Sequence, residues 1–274
     1  MTKMSQSIEN GFSRAARHYD AWARSQYRAA ERLVSMLPEG SVSGRVVDLG
    51  CGTGAVIDAL LKRPADERPF LIEGVDISAK MIDAASARFI DRTKVRFHQS
   101  EMTAFLEHPP SDDIGNGGGY DAILSNFAAQ WVESPQRLCV LSHLNLKRNG
   151  MLAICVPVEG SLPELHDAIA QTGRTLHTVF RPALEWRNAV SEAGFQITQW
   201  EEDDLVESYP TGRDALASVH RIGAARALHA GRSRLSVAQM RRVMRSLESA
   251  TSRNPQSANE NAASERGVTM TYRA

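Results

Sequence analysis

A glycine-rich turn after an apolar run is the strongest chemical signal in this chain of 274 residues. Residues 46–49 are apolar apart from Asp48, and Gly50, Gly52 and Gly54 follow at alternate positions. Glycine tolerates positive φ and lets a ligand approach bare backbone. A helix starting beyond the turn would add free N–H groups and the positive end of its dipole. We predict a site for a nucleotide-like ligand with an anionic group; the alternative is a turn that binds nothing.

A second acidic residue lies at the distance expected of a ribose-binding carboxylate. Residues 70–75 are predicted to form a strand, and Asp76 follows it directly. A carboxylate at this position can accept hydrogen bonds from the 2′- and 3′-hydroxyls of a ribose. The alternative is that Asp76 caps the next helix. Because Ser78 can cap that helix equally well, we favour ribose binding.

Helical and strand patterns alternate along the first 160 residues. The strands are predicted at 45–49, 70–75, 95–99, 120–126 and 151–156, and the helices at 11–37, 53–62, 79–90, 102–107 and 134–146. This alternation predicts an α/β fold with a mainly parallel sheet covered by helices on both faces. Ligands of such sheets bind at the carboxyl ends of the strands. The glycine turn, Asp76, Glu101 and Asn126 all follow predicted strands and are expected at one edge.

Composition and charge exclude several classes of protein. The formal net charge is zero, which argues against nucleic acid or a charged membrane surface as the main partner. No apolar stretch is long enough to span a bilayer, and the N-terminal segment does not resemble a secretory signal. The three cysteines, Cys51, Cys139 and Cys155, are widely spaced, which indicates a reducing, cytoplasmic location and no metal site.

The Asp-x-Gly-x-Gly-x-Gly pattern after a strand, together with Asp76, resembles the first motifs of class I S-adenosylmethionine (SAM) methyltransferases, which have a Rossmann-like fold. The resemblance implies SAM as cosubstrate. It assigns cofactor contacts to Asp48, Gly50, Gly52, Gly54, Asp76, Ile77, Met81, Glu101, Met102 and Asn126. Glu101 and the backbone N–H of Met102 would hold the adenine. The alternative for Glu101 is a solvated carboxylate at the start of a helix.

Further motifs resemble a narrower family. They are residues 12–20 with Gln26, Ser125-Asn126 with Gln130-Trp131, and residues 160–166, 222–224, 229–232 and 269–272. In this order they resemble the malonyl-[acyl-carrier-protein] O-methyltransferases of early biotin synthesis. The resemblance implies SAM-dependent O-methylation of the free carboxylate of a malonyl thioester on acyl carrier protein. The alternatives are a SAM methyltransferase acting on another small acceptor, and a non-catalytic SAM-binding or assembly protein.

This reaction places few demands on catalytic side chains. A malonyl carboxylate is already ionised at neutral pH, so no general base is required. The protein must align the reacting atoms and exclude water. We suspect that Tyr19, Asn126, Gln130 and Trp131 position the substrates. Two alternatives stay open: Tyr19 and Phe12 are either core aromatics or a lid, and Trp131 with Phe127 could form the core face of a helix.

The late part of the chain is rich in arginine. Nine arginines lie between residues 213 and 253, at positions 213, 221, 226, 232, 234, 241, 242, 245 and 253. Segment 213–245 is predicted to be a helical lid that docks an acidic acyl carrier protein. The alternative is a solvated helix face, and the absence of interleaved aromatics argues against nucleic acid. We expect a monomer.

The predicted layout has four parts: an N-terminal helical cap over the cofactor (1–40), a SAM-binding α/β core (41–210), an arginine-rich lid with a linker over 249–266 (211–266), and a shortened last strand (267–274). Two departures from the family pattern stand out. Loop 111–119 is longer than expected, and the last strand is shorter. In the family that strand inserts antiparallel between the fifth and sixth strands. Shortening it is expected to leave backbone and apolar groups uncovered.

Overall fold

Five parallel strands form the central sheet. The computed structural model describes residues 3–109, 119–178, 180–221, 228–229, 235–251 and 268–274. The strands are β1 (Arg45–Leu49), β2 (Leu71–Asp76), β3 (Val95–Gln99), β4 (Tyr120–Asn126) and β5 (Leu146–Cys155). Their order is β3-β2-β1-β4-β5, and every neighbouring pair is parallel. The predicted Rossmann-like α/β class is confirmed.

Helices cover both faces of this sheet. The α-helices are α1 (Lys3–Ala15), α2 (Arg24–Ser35), α3 (Ala55–Leu61), α4 (Ala79–Arg88), α5 (Met102–Glu107), α6 (Pro135–Asn145), α7 (Pro163–Ala170), α8 (Ala183–Glu192), α9 (Gly212–Arg221) and α10 (Val237–Thr251). Val46 and Ile72 pack with α2 and α3. Their neighbours Val47 and Val75 point to the other face and pack with α5, α6 and α8. Both faces of the strands are therefore buried, which explains their nearly continuous apolar sequences.

The helical region predicted over residues 11–37 is divided between two helices. The chain forms α1, a short 3-10 turn at Ala16–His18 and then α2, with a tight turn between them. The backbone N–H groups of Trp22 and Ala23 both donate to the carbonyl of Tyr19, at 2.9 Å each. Two burial demands separate the helices, because α1 lies against the cavity described below while α2 packs on α3. One straight helix could not meet both.

β5 begins five residues earlier than predicted. Asn149-Gly150, a pair of residue types that commonly end a helix, lies inside this strand, and Asn149 has a φ of 63°. The pairing of β4 with β5 shifts register between Tyr120 and Ala122, so the start of β5 is irregular. Helix α6 ends instead at Asn145, whose side-chain amide donates to the carbonyls of Leu106 and Leu141 at 2.8 Å each.

The last strand forms and is antiparallel, as the family pattern predicts. β9 (Val268–Arg273) pairs with β7 (Asp204–Tyr209) along one edge. On its other edge, the N–H groups of Val158 and Leu162, which follow β5, donate to the carbonyls of Arg273 (2.9 Å) and Thr271 (2.6 Å). β9 therefore lies between β7 and the segment that follows β5, and among the described residues it forms no ladder with β5 itself.

Side chains of the same segment bond further edge groups of β9. The Ser161 hydroxyl accepts from the backbone N–H of Arg273 and donates to its carbonyl, at 3.0 Å each. The Glu164 carboxylate accepts from the backbone N–H of Thr271 (3.1 Å) and from its hydroxyl (2.5 Å). Three side chains of β9, Val268, Met270 and Tyr272, are buried. At Thr271 and Arg273 the edge that was expected to be uncovered is therefore bonded.

The region between β7 and β9 is described only in part. Helices α9 and α10 pack against each other, and α10 also packs on α7. A short antiparallel pair joins β6 (His177–Thr178) to β8 (Leu228–His229). Most of loop 111–119 and residues 252–266 of the predicted linker lie outside the described residues, whereas 249–251 belong to α10. In the part of the chain that is described, no helix combines the length and apolarity needed to cross a membrane.

Candidate functional site

A cavity of about 610 Å³ lies at the carboxyl edge of the sheet. It is lined by most of the residues selected from the sequence: Tyr19, Asp48, Gly50, Gly52, Asp76, Ile77, Met81, Glu101, Met102, Asn126 and Trp131. Gly54 and Gln130 do not line it. The carboxyl ends of β1, β2, β3 and β4 thus bring together side chains from Asp48 to Asn126, which are distant in sequence.

The three glycines of the loop have different roles. All three have positive φ: 77° at Gly50, 52° at Gly52 and 94° at Gly54. A Cβ at Gly50 would lie 2.2 Å from the Cβ of Ala128, and one at Gly54 would lie 2.4 Å from the Phe89 ring. At Gly52 the nearest atom, on Tyr19, would be 4.0 Å away. Gly50 and Gly54 therefore permit close packing within the protein, while Gly52 leaves open space facing the cavity.

Asp76 braces the glycine loop from the end of β2. Its carboxylate oxygens accept from the backbone N–H groups of Gly52 (2.9 Å) and Ser78 (2.8 Å). Ser78, not Asp76, caps α4, because its hydroxyl accepts from the N–H of Met81 at 3.3 Å. Burial raises the pKa of Asp76 to about 6, against the opposing effect of the two backbone donors. Asp76 is thus an acceptor-only carboxylate at neutral pH, held at the cavity wall.

Asp48 is a buried carboxyl group without a hydrogen-bond partner among the described residues. Only 1% of the residue is exposed, and neither carboxylate oxygen accepts a hydrogen bond from that part of the chain. Burial, and secondly the nearby charge of Asp76, raise the pKa of Asp48 to about 8. A buried polar group without a partner is costly and calls for an explanation. A cationic group of a ligand in the cavity would supply the missing donor.

Asp48→Asn is expected to stabilise the ligand-free protein at alkaline pH. The pKa of Asp48 is 3.8 in the unfolded chain and about 8 in the folded protein, so folding stability falls as pH rises between these values. Relative to the variant, the wild type should lose about 2 kcal/mol between pH 6 and 8.5. Urea unfolding at the two pH values measures this difference. Parallel pH profiles for the two proteins would contradict the assignment of a buried, titrating carboxyl.

Glu101 caps a helix and also lines the cavity. Its carboxylate caps α5 by accepting from the N–H of Ala104 (2.9 Å) and from the Thr103 hydroxyl (2.5 Å). The same side chain lines the cavity, as does Met102. The cap holds the carboxylate at the end of β3, where it faces the cavity beside Asp76. Whether it contacts a ligand stays a prediction.

Aromatic rings from α1, the following turn and the end of β4 form one side of the cavity. The Phe12 ring meets Trp131 edge to face at 5.7 Å and Tyr19 at 6.5 Å. The Ser13 hydroxyl lies 2.8 Å from that of Ser78, which attaches α1 to α4. Burial raises the pKa of Tyr19, so its hydroxyl stays protonated. Phe12 and Tyr19 therefore form part of an aromatic cover at the cavity, and their action as a lid over the cofactor stays a prediction.

The Asn126 side chain connects two elements at the cavity wall. Its amide nitrogen donates to the carbonyl of Gln26 on α2 at 2.9 Å, while its amide oxygen is buried without a partner. Gln130 lies behind this wall, and its amide donates to the carbonyl of Phe127 at 2.9 Å. Phe127 and Trp131 do not share a helix face, because Phe127 has a φ of 51° and only a 3-10 turn, Ala129–Trp131, follows.

Several lining residues were not selected from the sequence as site residues. They include Ser5, Ile8, Gln26, Thr53, Glu107, Glu133 and Arg137. Arg137 and Glu107 form an ion pair at the rim, between α6 and α5. Ser5 and Ile8 line the cavity because α1 begins well before the predicted helix. An amphipathic pattern that extends toward the N-terminus could have predicted this earlier start. No sequence pattern predicts the ion pair at the rim, because it depends on how α5 packs on α6.

The chemistry of the cavity is that of binding and alignment. Cys51, which lines it, is buried and its thiol pKa is raised, so it is not a thiolate nucleophile. Within the described residues, no group of three His, Cys, Asp or Glu side chains could hold a metal ion. The glycine loop, the carboxylates at the strand ends and the aromatic cover are groups that hold a nucleoside-containing ligand and exclude water.

Comparisons with known proteins define the class. A family model described as a methyltransferase domain matches residues 19–200. The YcgJ protein of Bacillus subtilis shares the fold, with a TM-score of 0.57 and 16% identity over 90% of this chain and 94% of that one. The fold and the cavity are therefore those of a SAM-dependent methyltransferase, and SAM is the cosubstrate.

Curated relatives narrow the class to one family. The malonyl-[acyl-carrier protein] O-methyltransferase of Geobacter sulfurreducens is 32% identical over 80% of this chain and 81% of its own. The protein of that name from Halalkalibacterium halodurans is 27% identical over 80% of this chain and 82% of its own. This chain belongs to the malonyl-[acyl-carrier protein] O-methyltransferase family.

Proposed function

We propose that this chain transfers the methyl group of SAM to the free carboxylate of a malonyl thioester on acyl carrier protein, an early step of biotin synthesis. The observation that carries the proposal is the cavity. It joins a glycine loop and strand-end carboxylates to an aromatic cover, and it contains Cys51 only as a neutral thiol. Such a site suits an acceptor that arrives already ionised.

The proposed donor half of the cavity lies at the ends of β1, β2 and β3. The Asp76 carboxylate would accept from the ribose hydroxyls, and Glu101 with the N–H of Met102 would hold the adenine. The partnerless oxygens of Asp48 suit the ammonium group of the methionine part. Gly52 would lie against the ligand, with Ile77 and Met81 as apolar contacts. Gly54 would contribute through the shape of the loop, since it packs on Phe89.

The reaction is an in-line displacement. A lone pair of the malonyl carboxylate forms the new O–CH₃ bond while the methyl–sulfur bond breaks, and its electron pair stays on sulfur. No proton moves, so the protein contributes alignment and exclusion of water. Tyr19, Asn126 and Trp131 border the cavity and would position the reactants. Gln130 would act through the backbone of Phe127.

The exposed face of α10 is the proposed docking surface for the carrier protein. Arg241, Arg242 and Arg245 are exposed there, and Arg213 is exposed at the start of α9. Among the described residues, no carboxylate lies within 4.0 Å of these guanidinium groups. A cluster of cations without carboxylate partners complements an acidic protein and accelerates its association. The arginines at 226, 232, 234 and 253 lie outside the described residues, and nothing is described of the side chain at position 221.

Replacing Arg241 and Arg242 together by glutamine is expected to raise the KM for malonyl-carrier about tenfold, since each lost charge weakens attraction to an acidic partner. SAM affinity, measured by calorimetry, should not change, because neither residue borders the cavity. Arg148→Gln is the matched control, since Arg148 is exposed near the start of β5, whereas the cavity lies at the carboxyl edge. An unchanged KM in the double variant would show that α10 does not contribute to carrier binding.

The proposal is tested by methyl transfer from labelled SAM to malonyl-carrier, beside an equal dose of malonyl-CoA. Formation of methyl ester with a strong preference for the carrier is the expected result. Ester formation on both at equal rates would support the proposed reaction but would show that the enzyme does not recognise the carrier protein. Absence of ester on either, with SAM still bound in calorimetry, would leave another small acceptor or a non-catalytic role.

Location, assembly and layout are part of the same proposal. The three cysteines are free thiols, which supports a reducing, cytoplasmic environment. The four-part layout with boundaries at 40, 210 and 266 stays a prediction, for which limited proteolysis is the measurement. A monomer is expected in sedimentation velocity, and binding to nucleic acid or membranes is not expected.

A further inference from the structure

One wall of the cavity is held by residues that do not touch it. The wall consists of Gln26 on α2, Asn126 at the end of β4, and Phe127. The proposed donor contacts lie at the ends of β1, β2 and β3, and β4 is the next strand in the sheet. If the proposed function holds, this wall borders the acceptor. The contacts behind the wall would then affect how the acceptor carboxylate is aligned with the methyl group.

The first contact behind the wall is a helix cap supplied from a distant strand. The N-cap residue of α2 is Ala23, which has no side chain able to accept a hydrogen bond. The carboxylate of Glu207 on β7 takes this role and accepts from the backbone N–H of Ser25. Its other oxygen accepts from the hydroxyl of Tyr209, and Glu207 is buried. The cap therefore fixes the first turn of α2, where Gln26 is the next residue.

Gln26 passes this constraint directly to Asn126. The Gln26 carbonyl accepts from the Asn126 side-chain amide at 2.9 Å, and both residues are buried. A shift of the first turn of α2 would move that carbonyl and release the amide. The orientation of the Asn126 oxygen, which has no partner, thus depends on where Glu207 holds α2.

The second contact supports a strained residue. Phe127 has a φ of 51°, a left-handed backbone conformation that bulky side chains seldom adopt. Its N–H donates to the carbonyl of Cys155 at 2.8 Å, and its carbonyl accepts from Gln130. Its ring packs edge to face on Tyr272 of β9 at 5.9 Å. Strain of this kind persists where the surroundings over-determine it, and it clusters at functional sites.

Both contacts come from the same two-stranded unit. Glu207 lies on β7 and Tyr272 on β9, which pair along six residues each. We propose that Glu207 and Tyr272 are positioning residues for methyl transfer: from the β7–β9 pair they set the wall formed by Gln26, Asn126 and Phe127, against which the acceptor is aligned. This inference rests on the proposed function for the identity of the acceptor. The mechanical link, by which the β7–β9 pair holds the wall in place, does not depend on the proposed function.

The test compares Tyr272→Ala with Tyr272→Phe, and Glu207→Ala with Glu207→Gln, under saturating SAM. Misplacement of a reacting group by about 1 Å can cost up to about a hundredfold in rate, so a loss of at least tenfold in kcat/KM for malonyl-carrier is expected of the alanine variants. The calorimetric Kd for SAM should stay within about twofold, since Asn126 is the one residue of this wall among the proposed cofactor contacts and the others lie at the ends of β1, β2 and β3. The Tyr272→Phe variant keeps the ring and should restore the rate. The Glu207→Gln variant keeps a hydrogen-bond acceptor and should restore part of it.

Arg32→Ala is the matched control. Arg32 also joins α2 to the region before β7, through an exposed ion pair with Glu201 at 2.7 Å, but it has no contact with the wall. Its kinetics should equal those of the wild type. Equal losses of SAM affinity and turnover in Tyr272→Ala would indicate general loosening and overturn the proposal, as would an unchanged rate.

Backbone hydrogen exchange tests the mechanical link without depending on the methyl-transfer reaction. Tyr272→Ala should increase exchange in residues 126–131, and Glu207→Ala in residues 25–27, with exchange in β1 and β2 unchanged. If the wild type methylates no malonyl thioester, the proposed function fails while this exchange pattern still decides the mechanical link. Exchange that is unchanged in both segments, or raised throughout the sheet, would overturn the link itself.

Discussion

Gly52→Val is expected to abolish SAM binding while leaving the fold intact. A Cβ at this position has no protein atom nearer than 4.0 Å, so the added side chain enters the cavity instead of colliding with the core. There it occupies the space through which a ligand reaches the backbone. We expect the SAM affinity to fall by at least about a hundredfold, equivalent to about 3 kcal/mol. Calorimetry measures the affinity, and circular dichroism checks the fold.

Gly40 supplies a control, because its backbone also has a positive φ. Its φ is 73°, close to the 52° of Gly52, and a Cβ there also meets nothing within 4 Å. Gly40 is exposed in the turn before β1 and does not border the cavity. Gly40→Val therefore carries a comparable strain cost without blocking the site. Equal loss of SAM binding in both variants would assign the effect to backbone strain and contradict the placement of the ligand.

Asp76→Ala is expected to weaken SAM by about 1.5–3 kcal/mol, the typical cost of losing hydrogen bonds to a charged group. The loss combines the proposed ribose contacts with the brace that the carboxylate gives to the N–H of Gly52. Competition calorimetry against the wild type measures it. An unchanged affinity would show that the ribose is held elsewhere.

The same residue predicts how binding depends on pH. Because burial raises the pKa of Asp76 to about 6, the carboxylate is ionised above this pH and protonated below it. Only the ionised form accepts from two hydroxyls, so SAM affinity should show a fall as pH drops through 6, separate from the contribution of Asp48 near pH 8. Asp76→Asn has no titrating carboxyl at this position, so its affinity should be weaker and should lack the step near pH 6. A wild-type profile without this dependence would place another group at the ribose.

The central sheet could be predicted from sequence because its signals are local. β1, β3 and β4 and helix α5 have the predicted bounds, since each is a short apolar or amphipathic run between turn residues. The break between α1 and α2 could not be predicted in this way. The helical periodicity continues through Tyr19, and only the competing burial of α1 at the cavity and α2 on α3 interrupts the helix.

In the candidate site, too, residues with a local sequence signal could be predicted and residues placed by distant contacts could not. The residues at strand ends were found because parallel topology brings every such end to one edge. Glu207 was not found, because a carboxylate that caps a helix from 182 residues away has no local pattern. Tyr272 was included only in the motif at 269–272, without a role at the site. The motif at 160–166 was recognised only as a resemblance. The structure gives Ser161 and Glu164 a physical task, which is to bond the free edge of β9.

The chain order of the wall has a consequence for biosynthesis. The proposed donor residues of the glycine loop and Asp76 lie within about the first hundred residues, whereas the wall at Asn126 is set by β7 and β9, which leave the ribosome much later. Closure of such long loops is slow, and contacts distant in sequence form late. The residues proposed to align the acceptor are therefore completed last, and we expect methyl transfer to wait until β9 docks.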